Sequence, residues 1–170
     1  MTQEDLTHVD DAGAARMVDV SDKSESARTA VASGVVRTTA EVVALLRRDD
    51  LPKGDALATA RIAGIMAAKR TSDLVPLCHP IALSSVQVEL DTGADGASEV
   101  RIAATARTTD RTGVEMEALT AVTGAGLALH DMVKAVDPAA VLDAVRVERK
   151  DGGKTGTWTR DGSASSGGDS

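Results

Sequence analysis

The chain has neither phenylalanine nor tyrosine, and Trp158 is its only aromatic residue. Its core must therefore be packed with Ala, Val, Leu, Ile and Met. A single cysteine, Cys78, excludes an internal disulfide and fits a reducing compartment such as the cytoplasm. No apolar run approaches the roughly 20 residues of a membrane-spanning helix, and the opening MTQEDLTHVDD is too acidic for a secretory leader. These absences predict a cytoplasmic protein with no membrane partner. Positive charge is also in deficit, with 19 Lys and Arg against 26 Asp and Glu and a formal net charge of −7. Bulk nucleic-acid binding needs a basic face and is excluded. A small anionic substrate is not, because a few converging lysines override the global sign locally.

What is present fits one domain, since 170 residues suffice to bury a core. After a short β-like stretch at RMVDVS (16–21), β-branched residues at alternating spacing predict a strand over 27–39. A short helix is expected over 40–50. LPKGD (51–55) then breaks the chain and displays Lys53 on a loop. A second helix is predicted over 55–74, with Asp55 as its N-cap and Lys69 and Arg70 in its last turn. Strands over 83–90 and 98–109 flank the turn TGADGA and read as a hairpin. The longest helix covers 114–136 and stops at Asp137-Pro138, and a last strand spans 144–150. The order β–α–β–β–α–β is the split βαβ, or ferredoxin-like, α+β pattern, an antiparallel sheet with helices on one face. The domain is expected to span residues 1–158, with 1–15 mobile and the Gly/Ser-rich tail 159–170 disordered. There is no internal repeat and no second domain.

The long helix presents two different faces. Leu119, Val122, Gly126, Leu129, Val133 and Val136 form a core stripe. The opposite side shows Glu117, Thr120, Ala121, Gly124, Ala128, Asp131 and Ala135. A solvated back face is normally rich in Lys, Glu and Gln, so this small-residue face is expected to meet another subunit rather than an element of its own domain. Glu117 and Asp131 lie on the same side but about 21 Å apart along the axis, too far for one small-molecule site on one helix. If both serve one pocket, an antiparallel helix from a second copy must bring one acid to the other, which predicts a two-fold interface with shared sites.

Several side chains could carry chemistry. His79 lies between Cys78 and Pro80, and the proline pushes its backbone out of the helical region. It is either a proton carrier or phosphate donor in a pocket, or a hydrogen-bonded structural histidine. Nothing nearby lowers the Cys78 pKa, which favours packing over nucleophilic catalysis. CH, LHD and EME lack zinc-ligand spacing, so no metal site or cofactor is expected beyond Mg²⁺ carried in on a phosphate. Asp131 and Lys134, at i and i+3, form either a surface ion pair or an acid/base pair. RKDGGKTG contains GKT but misplaces the first glycine of a Walker loop and has no helix after it. A basic loop with Lys150 and Lys154, able to close over an anion, remains, as does a plain solvated turn. Together, Lys53, His79, Lys134 and Lys150, with the acids Glu115, Glu117 and Asp131, point to a pocket for an anionic small molecule with acid/base groups. A binding module without turnover is the competing reading, but carboxylates facing an anion serve catalysis better than capture.

The segments LTHVDDAGAARMVDVS, KGDALATARIAGIMAAKRTSDLVPLCHPIALSSV, TGVEMEALTAVTGAGLALHDMVKAV and KDGGKTG, in that order, resemble the MoaC family of molybdenum-cofactor biosynthesis. The resemblance runs from about Leu6 to Thr157. Thr155 stands where the family often has Ser, and the Gly/Ser tail is additional. The resemblance implies a ferredoxin-like subunit in a homohexamer, a trimer of dimers with sites between subunits. It implies a lyase that converts 3′,8-cyclised 7,8-dihydro-GTP, a triphosphate, into cyclic pyranopterin monophosphate and pyrophosphate. It implies that Leu77, Cys78, His79, Met116 and Glu117 line the substrate pocket. Asp131 then matches the catalytic aspartate, and Lys53, Lys134, Lys150 and Glu115 match the remaining catalytic or phosphate-contacting groups.

Overall fold

The computed structural model describes residues 14–153 and 156–160. The expectations for residues 1–13, for Lys154 and for the tail beyond Arg160 lie outside the described residues. Among the described residues nine elements follow one another: β1 (Ser26–Arg37), α1 (Ala40–Arg48), α2 (Ala56–Ala68), α3 (Thr71–Leu74), β2 (Leu83–Asp91), β3 (Glu99–Asp110), α4 (Glu115–Val133), β4 (Val141–Asp151) and β5 (Trp158–Thr159). The strands form a single five-stranded sheet in the order β2-β3-β1-β4-β5 with every pairing antiparallel. The first four strands reproduce the ferredoxin-like split βαβ arrangement expected from the element order.

Alternation decides which side of the sheet is covered. Ala30, Ala32 and Val36 of β1, and Val100, Ile102, Ala104 and Ala106 of β3, are buried and face the helices. Their neighbours Ser33, Arg37 and Arg101 point the other way, where Arg37 pairs with Glu99 and Asp143. The core is aliphatic throughout, from Val42 and Leu46 of α1 to Val122, Leu129 and Val133 of α4. α2 and α4 run side by side over the sheet, with Ala56, Ala60, Gly64 and Ala68 of α2 buried at steps of four.

That pairing corrects the expectation for the small-residue face of α4. Ala121 is fully buried, and a Cβ on Gly64 would come within 2.7 Å of the Ala121 carbonyl oxygen. Gly124 packs in the same way on Ala63 and Ala67. The middle of the face thought to await a second subunit, around Ala121 and Gly124, is covered by α2 of its own chain, because α2 offers an equally small surface, whereas Asp131 and Ala135 at its far end stay exposed.

Capping sets most boundaries. Thr39 accepts a hydrogen bond from the Val42 N–H at 3.2 Å to start α1, and the Asp55 carboxylate accepts from Ala58 at 2.9 Å to start α2. The helix expected over 55–74 is instead two. The Thr71 hydroxyl donates to the Ala68 carbonyl at 2.9 Å, which closes α2 locally and starts α3 afresh. The stretch 16–21 forms no strand. β4 starts at Val141, before the expected boundary, and inside it Ala144 takes a left-handed φ of 53° that interrupts the alternation. At its far end β4 runs through Lys150 to Asp151, one residue beyond the expected end, and pairs with β5, so the sheet extends to Thr159.

Candidate active site

The residues singled out in the sequence gather at the two ends of α4. At its N-terminal end, Leu77, Cys78, His79, Glu115, Met116 and Glu117 line one recess of about 380 Å³. The Cys78 amide donates to the Val75 carbonyl at 3.0 Å, turning the chain out of α3, and Pro80 disfavours helical backbone at His79 before β2 begins. Met116 is exposed while Glu117, next along the first turn, is only 3% exposed. Burial pushes the Glu117 carboxyl up from an ordinary 4.5 to about 7, and the nearby Glu115 charge adds to the rise against a backbone hydrogen bond. Burial, then the Glu117 charge, likewise raises the Cys78 thiol, which keeps it protonated and unreactive near neutral pH.

Lys150 joins this end by register. It pairs across the sheet with Ala30, whose side chain lies under the helices, so Lys150 emerges on that same face. Its Nζ stands 3.1 Å from the Glu115 carboxylate. The last residue of the expected strand, this lysine is held by the sheet rather than by a mobile basic loop.

At the other end of α4, Asp131 sits between two lysines. Its Oδ1 lies 2.6 Å from Lys134 Nζ and its Oδ2 2.8 Å from Lys53 Nζ, which also donates to the Asp131 carbonyl at 2.8 Å. The hydrogen bonds from Lys134 and then Lys53 pull the Asp131 carboxyl down to about 2. Lys53 reaches it from the loop between α1 and α2, anchored by buried Leu51 and turned by Gly54 at a φ of 85°. One subunit thus assembles two groups, the His79–Glu117 recess with Lys150 and the Lys53–Asp131–Lys134 cluster, and does not bring them together.

Lys23, Arg28 and Arg111, which also stand near the N-terminal end, were not singled out in the sequence. Arg28 left a signal: it occupies the helix-facing register of β1, two residues before Ala30, where apolar residues otherwise stand. Lys23 and Arg111 lie in polar segments and left none. Among the described residues there is no group of three or more His, Cys, Asp or Glu side chains able to hold a metal ion. No helix among them is long and apolar enough to cross a membrane.

A ferredoxin-like subunit with a buried near-neutral carboxylic acid beside His79, and lysines paired with carboxylates at both ends of one helix, defines a small-molecule acid/base domain suited to anions. A family model described as "MoaC family" matches residues 17–153. Curated proteins match over nearly their whole length. A protein of Mycobacterium bovis named "Cyclic pyranopterin monophosphate synthase 2" is 61% identical over 156 residues, covering 92% of this chain and 92% of its own. "Cyclic pyranopterin monophosphate synthase" of Streptomyces coelicolor is 65% identical over 158 residues, covering 93% and 91%. A Nocardioides protein of the same name is 62% identical, covering 91% and 95%. The chain belongs to the MoaC family.

Proposed function

We propose that this protein is a cyclic pyranopterin monophosphate synthase, a phosphorus–oxygen lyase of molybdenum-cofactor biosynthesis. It converts (8S)-3′,8-cyclo-7,8-dihydroguanosine 5′-triphosphate into cyclic pyranopterin monophosphate and pyrophosphate. The observation that carries this reading is the match, over more than nine-tenths of both chains, to relatives bearing that name.

The geometry supplies groups for each demand of the reaction. The imidazole-derived ring must open and the pyrazine ring close, which requires protons to be given and taken near neutral pH. A buried Glu117 held at about 7 suits both directions. His79, in the same recess, is a substrate-facing hydrogen-bond donor, and Cys78 and Leu77 form the wall. A ribose hydroxyl oxygen then bonds to the innermost phosphorus while the bond from that phosphorus to the bridging oxygen breaks. Pyrophosphate leaves with the electron pair, and the hydroxyl proton passes to a carboxylate of the site. Lys53, Lys134 and Lys150 offset the charge that builds on the departing group. Asp131, fully ionised between its lysines, orders them at the reacting end. The two clusters complete one another between subunits of a homohexamer, a trimer of dimers. No cofactor is needed, and Mg²⁺ enters only with the triphosphate.

The test is to incubate the purified protein with cyclised dihydro-GTP and measure pyrophosphate. Release is expected, absent in Asp131→Asn although that variant unfolds like the parent, and Lys53→Ala binds the triphosphate more weakly. No release by the parent chain overturns the proposal. Release that vanishes with a chelator and returns with a divalent ion points instead to a metal-dependent phosphohydrolase.

A further inference from the structure

Glu115, the first residue of α4, borders both the His79–Glu117 recess and a small cleft in which Lys150 stands. Gly113, two residues earlier, lines the same two spaces. A Cβ on that glycine would overlap the Glu115 carboxylate, with the carboxyl carbon at 2.8 Å and Oε1 at 3.1 Å. Its chain neighbours aside, the three nearest atoms all belong to that one carboxyl group, and none to backbone or core.

Backbone conformation does not call for glycine here. Gly54 takes a left-handed φ and Gly113 does not, so an alanine could follow the same path. Close packing of elements does not call for it either. At Gly64 and Gly124 the missing side chain admits a neighbouring helix, through the Ala121 carbonyl and the Ala67 side chain. At Gly113 the space is taken by the end of a side chain that has other rotamers open to it. The room is kept for the carboxylate.

From that place the carboxylate acts in two directions. It lies 3.1 Å from Lys150 Nζ, on the helix side of the sheet. Glu117, held protonated mainly by burial, also feels its charge. α4 has no side-chain N-cap, so a carboxylate drawn back over its first turn is favoured by the helix dipole as well.

We propose that Gly113 is a positioning residue for the reaction: by offering no Cβ it lets the Glu115 carboxylate fold back against it and hold Lys150 beside the recess. The inference rests on the function proposed above, in which Lys150 acts on the substrate. A methyl group at position 113 swings the carboxylate away from Lys150. The fold survives, because the collision falls on the mobile end of a side chain.

Gly113→Ala, made in the full chain, tests this. Its urea unfolding is expected to match the parent, and its crystal structure to show the Glu115 carboxylate beyond ion-pair reach of Lys150 Nζ, about 4 Å. With cyclised dihydro-GTP, kcat is expected to fall roughly tenfold to a hundredfold at little-changed KM, the cost of misplacing a reacting group by about 1 Å. In a Glu115→Ala background there is no carboxylate to displace, and Gly113→Ala is expected to add no further loss. An equal loss in both backgrounds overturns the proposal, because the glycine then acts otherwise than through Glu115. So does a Gly113→Ala chain that cannot fold, and so does one whose carboxylate stays beside Lys150. Where Glu115→Ala has no turnover left to compare, the crystal structure decides alone. Turnover by the parent with an unaltered kcat in Gly113→Ala removes the positioning role and leaves the function standing. No turnover by the parent, with the carboxylate displaced in the variant, removes the function and leaves Gly113 placing Glu115.

Discussion

At the scale of single residues, Glu117 has the most unusual environment. Its carboxyl keeps a proton to about pH 7 in the folded chain, whereas the unfolded chain gives it up near 4.5. Between those values the unfolded state binds fewer protons, so rising pH draws the equilibrium toward unfolding. The favourable contribution is complete below 4.5 and gone above 7. Glu117→Gln removes the titration, and the stability lost between pH 5 and pH 8 should shrink by up to about 3 kcal/mol. Urea unfolding at both pH values measures this, and parallel losses in parent and variant would count against it. Asp131 makes no such contribution in that window, because its lysines keep it ionised down to about pH 2. In the sequence Glu115, Glu117 and Asp131 are three similar acids. What separates them is burial for one and ion pairing for the others, and neither follows from spacing.

At the scale of elements, the α2–α4 contact decides how closely the helices can lie. Gly64 approaches the Ala121 backbone and Gly124 approaches Ala63, leaving no room for branched side chains. Gly124→Val should overpack this seam and destabilise the fold by about 1–3 kcal/mol, with α4 pushed off the sheet. Chemical denaturation reads the loss, and a variant as stable as the parent would show that the seam yields. The strands were legible because alternation survives in β1, β2 and β3, and the helix starts because Thr39 and Asp55 are ordinary caps. The covering of α4 was not legible. A stripe of Ala and Gly suits α2 as well as a neighbouring subunit, and no residue type in it distinguishes the two. The start of β4 was missed for a different reason, the positive φ at Ala144, which puts consecutive side chains out of phase. Lys150 was found by residue type and fell at the end of the expected last strand, but the register that sets it opposite Ala30, and so turns it toward the helices, was not legible.

For the whole molecule, the separation of the two clusters is the controlling fact. α4 runs 19 residues, and at 1.5 Å per residue the path from Glu117 to Asp131 is about 21 Å. A single substrate cannot bridge that distance and still be reached by catalytic groups at both ends, so the proposed function requires each chain to supply halves of two different sites. With the middle of the small-residue face of α4 covered by α2, the proposed contact with a second copy would use other surfaces, and Ile62, Met66 and Leu127 stand exposed on these two helices. Shared sites make a quantitative demand on mixtures. When Asp131→Asn and Glu117→Gln subunits are combined in equal amounts by co-refolding, an intact site forms only where the first supplies the recess and the second the lysine-flanked aspartate. Random assembly creates that arrangement in about a quarter of sites. The mixture should therefore recover about a quarter of the parent turnover, although each variant alone is inactive. A mixture as inactive as its components, with assembly verified by light scattering, would mean that each subunit carries its own complete site.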